Sequence, residues 1–237
     1  MKSTAALAAS DFRQIFRDRT MTVFLFTPAI LVCFVRFFVP YLTAKFPFLA
    51  AYHPMIMMFG ALQTAIIFGF FTSFIILDEK DENVMQVIRI LPVSTGWFIA
   101  NRLLFSALFS ALGAFLMIRL GGLADPGMRA SVLLALQYGL SAPFIALVIA
   151  TYAQNKIEGM AFFKGVDLVL LIPMLSFLVP GALKYIFGVI PMFWTYRLYD
   201  AALKGEPVSA LFLAGLAAYG LALYLLFRQF NKRVFNR

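Results

Sequence analysis

At 237 residues, with 62% hydrophobic side chains and only 13% charged ones, the chain carries more apolar surface than a water-soluble domain of this length can bury. The formal charge of +9 needs no nucleic acid as partner: basic tails and turns facing anionic lipid headgroups account for most of it, and no basic, aromatic-interleaved nucleic-acid motif is present. Cys33 is alone, which excludes a disulfide framework and a thiolate metal site within the chain.

Residues 3–20 set Ala5, Leu7, Phe12, Ile15 and Phe16 among Asp11, Arg13, Arg17, Asp18 and Arg19, the pattern of a helix lying in a membrane interface. The plainer reading is a basic flank that sets topology. A membrane span needs about 20 mostly apolar residues, and roughly six stretches qualify: 21–42, 55–77, 97–120, 130–152, 166–180 and 208–227. The first comes after a polar segment and lacks a small-residue cleavage pattern, so it is expected to be a retained span rather than a removed signal peptide. Runs apolar on every face exclude a closed barrel, whose strands are shorter and alternate. The expected fold class is an all-α integral membrane protein, a single domain over residues 1–237.

Basic residues set the orientation. Lys2, Arg13, Arg17, Arg19, Lys80, Arg89, Arg102, Lys156, Lys164, Arg228, Lys232, Arg233 and Arg237 fall on one side, and only Arg36, Lys45, Arg119, Arg129, Lys184, Arg197 and Lys204 on the other. By the positive-inside rule both termini and residues 78–94 are expected in the cytoplasm, with the chain multi-pass in the inner (cytoplasmic) membrane.

Between the second and third spans stands Asp78-Glu79-Lys80-Asp81-Glu82, then an amphipathic run with Val84, Val87, Ile88 and Leu91 at helical spacing, then Pro92-Val93-Ser94. Acidic residues suit the N-terminal end of a helix dipole and Pro92 stops the helix, so the spacing predicts a short surface helix over residues 83–91. A second polar loop, 153–159, carries Asn155, Lys156, Glu158 and Gly159 and joins the fourth and fifth spans. The fifth span is short, with Pro173 in its middle and Pro180-Gly181 at its end, and the segment between it and Pro207 is broken by Gly188 and Pro191. Irregular backbone at membrane depth survives only when buried in protein or lining a cavity, so residues 182–202 are expected to form short helices dipping in from the outer face. Trp194, Tyr196 and Tyr199 suit the headgroup level.

Ionisable residues inside spans are functional suspects by default. Arg36 lies near the outer end of the first span and is expected to snorkel outward. Arg102, one turn into the third span, can reach lipid phosphates. Asp167, read as one turn into the fifth span, is expected to pair with Lys164. His53 is the only histidine and lies beside Pro54, where a solvated loop position is expected. Ser106, Ser110, Ser141 and Ser176 lack G-x-S-x-G context and read as small residues for helix packing. Gln63, Thr64, Thr72 and Ser73 in the second span and Ser176 in the fifth can either edge a polar pathway or serve packing. With 28 Phe and 11 Met, any such route is greasy and favours lipids, hydrophobic drugs or apolar peptides. No G-x-x-x-x-G-K-[ST] loop is present, so a motor for ATP hydrolysis must be another polypeptide.

The acidic group with Leu91-Pro92-Val93-Ser94, the Arg17-Asp18-Arg19 run, Asn101-Arg102 at the third span, the Asn155 to Gly159 loop and Ile190-Pro191-Met192-Phe193-Trp194 together resemble ABC-2 type transporter permeases over nearly the whole chain. The chain departs from that pattern at Asn83-Val84, where relatives often have Gly-Thr. The resemblance implies an interfacial connecting helix over 1–20, a coupling-helix loop over 78–95 and an outer re-entrant segment over 182–207. It implies ATPase-coupling roles for Asp78, Glu79, Asp81, Glu82, Val84, Val87, Arg89, Pro92, Asn155 and Glu158, and a route along the second and fifth spans. The implied partners are two copies of an ABC ATPase, which holds the ATP and Mg that this chain does not, and a second permease copy as homodimer or a related permease as heterodimer. Export is the family's habit. The competing reading is a six-span substrate-binding subunit of an energy-coupling-factor importer, with Ala5 and Ala9 as a small-residue docking face.

Overall fold

Hydrophobic length makes these segments helices, and prolines and small residues decide where they bend. The computed structural model describes residues 19–82 and 95–235. Most of the interfacial segment 1–20 and the run 83–94, with Val84, Val87, Arg89 and Pro92, lie outside the described residues. Six helical segments among those described are long and apolar enough to cross a membrane: Thr22–Lys45, Pro47–Asp81, Gly96–Gly121, Met128–Tyr152, Lys156–Phe177 and Ser209–Arg233. They match the six expected spans in order, and every described element is helical.

The first span is interrupted at Phe26, two residues before Pro28, and again by a π turn, Phe34–Phe38, just before Pro40. A proline lacks the N–H that the helical ladder needs, so a widened turn ahead of it is an economical repair. The second span is one unbroken helix, His53–Asp81, with 89% of its most apolar window buried inside the chain. Every other span packs around it or around its neighbours. Close approach is licensed by small residues: a Cβ at Gly69 would stand 2.6 Å from the Ala142 carbonyl oxygen, and one at Gly139 would stand 2.8 Å from that of Ala107. In the absence of a water-driven force between helices, such backbone proximity supplies the packing. Ser110 adds a bond across the bundle, its Oγ donating to the Ala65 carbonyl at 2.8 Å, whereas Ser106 and Ser141 donate to carbonyls three residues earlier in the chain.

Contacts at the two ends fix the direction of each span. Lys156 meets Asp78, Arg233 lies over the Tyr152 ring and Phe24 packs on Phe70. The described ends of the chain, the second-to-third connection and the fourth-to-fifth connection therefore share one end of the bundle, called here the Asp78 end. At the opposite end Tyr199 Oη donates to the Ala124 carbonyl at 2.9 Å. Arg36 is exposed and its guanidinium covers Gly122 there, where φ is +72° and a Cβ would collide with Nη1, in keeping with its outward reach.

Four expectations need correction. The acidic residues Asp78, Glu79 and Asp81 form the last turn of the second span's helix rather than the head of a separate surface helix. At 29 residues that helix is about 43 Å long and outruns a hydrocarbon core of about 30 Å, so its polar end projects from the membrane. The fifth span begins at Lys156, not at residue 166, because Asn155 caps it and polar Glu158 and Lys164 fit the first turns of a helix emerging from the surface. His53 opens a helix instead of lying free, and its Nε2 stands 2.9 Å from Thr43 Oγ1. Tyr196 and Tyr199 are fully buried and do not anchor at headgroups.

The burial of these two tyrosines originates in the segment before the sixth span. At Pro173 the fifth span tightens into a 3-10 helix, Ile172–Phe177, and ends before Gly181. A 3-10 helix, Gly181–Val189, and an α-helix, Met192–Leu203, then form the expected pair of short helices. The second one enters the bundle: Tyr196 Oη donates to the Leu170 carbonyl at 3.2 Å, and Tyr219 Oη, about 15 Å into the sixth span's helix, reaches Met192 Sδ. Tyr rings supply apolar bulk while their hydroxyls satisfy carbonyls freed by broken helices.

Candidate functional site

Carboxylates at the C-terminal end of a helix oppose the helix dipole and need compensation. Three consecutive residues at the end of the second span make contacts with three different neighbours. Asp78 Oδ1 pairs with Lys156 Nζ at 2.8 Å, at the start of the fifth span. Glu79 accepts two bonds from Arg102 of the third span, 2.5 Å from Nη1 and 2.9 Å from Nη2. Lys80 Nζ donates to the carbonyls of Ala150 and Ala153, each at 3.0 Å, and so caps the end of the fourth span.

These contacts differ in strength. Arg102 is 6% exposed and Glu79 14%, a two-pronged pair in a low-dielectric setting, with the Arg102 guanidinium also 4.9 Å from the Phe98 ring centre. Arg102 thus turns to Glu79 across the bundle, where a lipid-facing side chain is expected from the sequence. The Asp78–Lys156 pair is half-exposed and weaker. Asp81 and Glu82 are exposed at the very end of the helix. On the adjoining turn Asn155 Oδ1 accepts from the Glu158 N–H at 3.0 Å, and Glu158 Oε2 accepts from the Gln154 N–H at 2.8 Å. This reciprocal cap fixes the start of the fifth span beside Asp78. Asp78, Glu79, Asn155 and Glu158 are therefore brought together, and Lys80, Lys156 and Arg102 join them. The signal for the three cations was present in the sequence as basic residues at span ends on the same side as the acids, but pairing across the bundle is not a property of spacing.

The expected pathway residues divide. Thr64 Oγ1 and Ser73 Oγ donate to carbonyls of their own helix, Ala61 and Phe70, and both residues are fully buried, as Thr72 is nearly. Ser176 is also buried, and its Oγ has no hydrogen-bond partner among the described residues. Gln63 is half-buried, and its Nε2 donates to Asp167 Oδ1 of the fifth span at 2.9 Å. Asp167 therefore bonds Gln63 rather than forming the expected ion pair with Lys164. It also lies about 16 Å along the helix that begins at Lys156, close to mid-membrane and not one turn in.

Six apolar spans, a short helix entering from the opposite end and a charged junction where the second, third, fourth and fifth spans meet describe a multi-pass helical membrane protein, and together with its relatives they identify the class as an ABC-2 type permease, a transport subunit rather than an enzyme. The chain belongs to the Rv2686c-like family, described as "Fluoroquinolones export permease protein Rv2686c-like", which matches it over residues 11–227. It is similar to the fluoroquinolones export permease protein MT2760 of Mycobacterium tuberculosis (strain CDC 1551 / Oshkosh), at 27% identity over 98% of this chain and 95% of the relative. It is equally similar to Rv2686c of Mycobacterium tuberculosis (strain ATCC 25618 / H37Rv), with the same identity and coverage. No solved structure matches.

Proposed function

We propose that the chain is the membrane-spanning subunit of an ATP-driven exporter in the inner (cytoplasmic) membrane, with both termini and the Asp78 end in the cytoplasm. A separate ABC ATPase, two copies with their ATP and Mg, drives a pair of permease chains, either two of this one or this one with a related permease. The observation that carries this reading is the junction of Asp78, Glu79 and Lys80. A displacement of residues 83–94, which leave the second span directly after it, is passed at once to the third, fourth and fifth spans through Arg102, Ala150, Ala153 and Lys156. Force from a partner seated on that loop would thus move spans as a group.

The substrate is hydrophobic or amphipathic. The relatives are named for fluoroquinolones, which are aromatic and amphipathic, and the interior of this chain offers aromatic and aliphatic surface with few polar groups. Gln63 and, through it, Asp167 mark where the second and fifth spans present polarity to a route.

Purification of the tagged full-length chain from native membranes tests the reading. An ABC ATPase bound directly, with ATP hydrolysis that rises on adding a fluoroquinolone, is the expected result. Recovery of a scaffold membrane protein between chain and ATPase would instead show an energy-coupling-factor binding subunit, and recovery without any ATPase would sink the exporter reading.

A further inference from the structure

We infer that Asp167 and Gln63 form a recognition site, at the middle of the membrane, for the protonated amine of an aromatic amphipathic substrate. The inference rests on the permease reading and adds to it the chemistry of the site. A carboxylate at this depth is costly unless something offsets its charge. Among the described residues Asp167 receives one neutral amide donor, from Gln63, and no cation pairs with it; Lys164, three residues earlier, is exposed. Gln63 positions the carboxylate without neutralising it, since an amide brings dipole and no charge.

The surroundings favour an aromatic ligand. Asp167 and Gln63 are both half-buried, so the carboxylate can be reached, and Leu168 beside it is 65% exposed. One helical turn from Gln63 toward the opposite end lies exposed Phe59. One turn from Asp167 toward the Asp78 end lies Phe163, whose ring centre is 4.7 Å from that of Phe70. The carboxylate holds an ammonium by charge-assisted hydrogen bonds, while the ligand's own ring system replaces lipid against exposed Phe59. An anionic group is repelled by the same carboxylate.

The test uses dansylcadaverine, an aromatic probe with a primary amine, and its N-acetyl derivative, which keeps the rings and loses the charge. Both are titrated by fluorescence against the full chain in lipid nanodiscs, with empty nanodiscs subtracted. The wild-type chain is expected to bind the amine roughly tenfold or more tighter than the acetylated probe. Asp167→Asn, which keeps shape and the bond to Gln63, is expected to bind both probes alike, and Asp167→Glu to retain the preference; size-exclusion profiles show that each variant is folded. Equal binding of the two probes by the wild-type chain, or a preference that survives in Asp167→Asn, overturns the proposal; either would mean that a proton or a neighbouring chain satisfies the carboxylate. An ATPase that co-purifies while the preference is absent leaves the exporter reading standing and removes only this site. A preference that is present without any ATPase does the reverse.

Discussion

Removing one member of a buried ion pair leaves the other charged and unsolvated, whereas removing both leaves apolar groups that pack. For Glu79 and Arg102, two-pronged and largely buried, Glu79→Leu or Arg102→Met alone is expected to cost roughly 3–5 kcal/mol. At about 2–4 °C per kcal/mol for a chain of this size, that is a fall in Tm of roughly 6–20 °C. The double variant Glu79→Leu/Arg102→Met is expected to recover most of the loss, since well-packed apolar replacements of buried pairs are often neutral. Thermal unfolding of the purified chain in detergent, tracked by tryptophan fluorescence, measures all three. If the junction also transmits force, the double variant is stable yet gives little substrate-stimulated ATP hydrolysis, because the second span is no longer joined to the third by a directional contact. Single variants indistinguishable in Tm from the wild type, or a double variant no more stable than either single, would refute the reasoning.

Lys80→Met withdraws the cap from the Ala150 and Ala153 carbonyls and is expected to lower stability by about 1–3 kcal/mol in the same assay, with Lys80→Arg largely sparing it. Gly69→Ala drives a methyl into the Ala142 backbone and is expected to lose about 1–3 kcal/mol, while Gly220→Ala, which meets open space, is expected to be neutral or to gain up to about 1 kcal/mol from helix propensity. In a Cys33→Ser background, cysteine at Gln154 is expected to resist an impermeant thiol reagent outside intact cells, and cysteine at Ala51 or Lys204 to react; labelling of Gln154 and Lys204 from the same side would overturn the arrangement.

Much of the fold was legible because span length is a local property: a run of apolar residues long enough to cross a bilayer must satisfy its backbone internally, and a helix does so with no help from the rest of the chain. The six spans, the broken outer segment announced by Pro173, Pro180-Gly181 and Pro191, and the family to which these motifs point all derive from such local signals. Boundaries at polar ends were less legible. Asp78 to Asp81 read as the start of a surface helix, yet they end the second span, because Arg102 and Lys156 arrive from sequence-distant helices to offset the unfavourable dipole. Tyr196 and Tyr199 read as headgroup anchors by composition, but the short helix that carries them is buried, and their hydroxyls bond carbonyls at Leu170 and Ala124. Asp167 read as the partner of Lys164 by spacing, until tertiary packing set Gln63, 104 residues away, against it. Membrane insertion and family membership are thus written along the chain, since hydrophobic length and short motifs carry that information with no reference to distant residues. Which charge meets which is settled by the packed bundle alone, because the energy of a buried charge depends on what lies a few ångströms away across the helices and not on its neighbours in the chain.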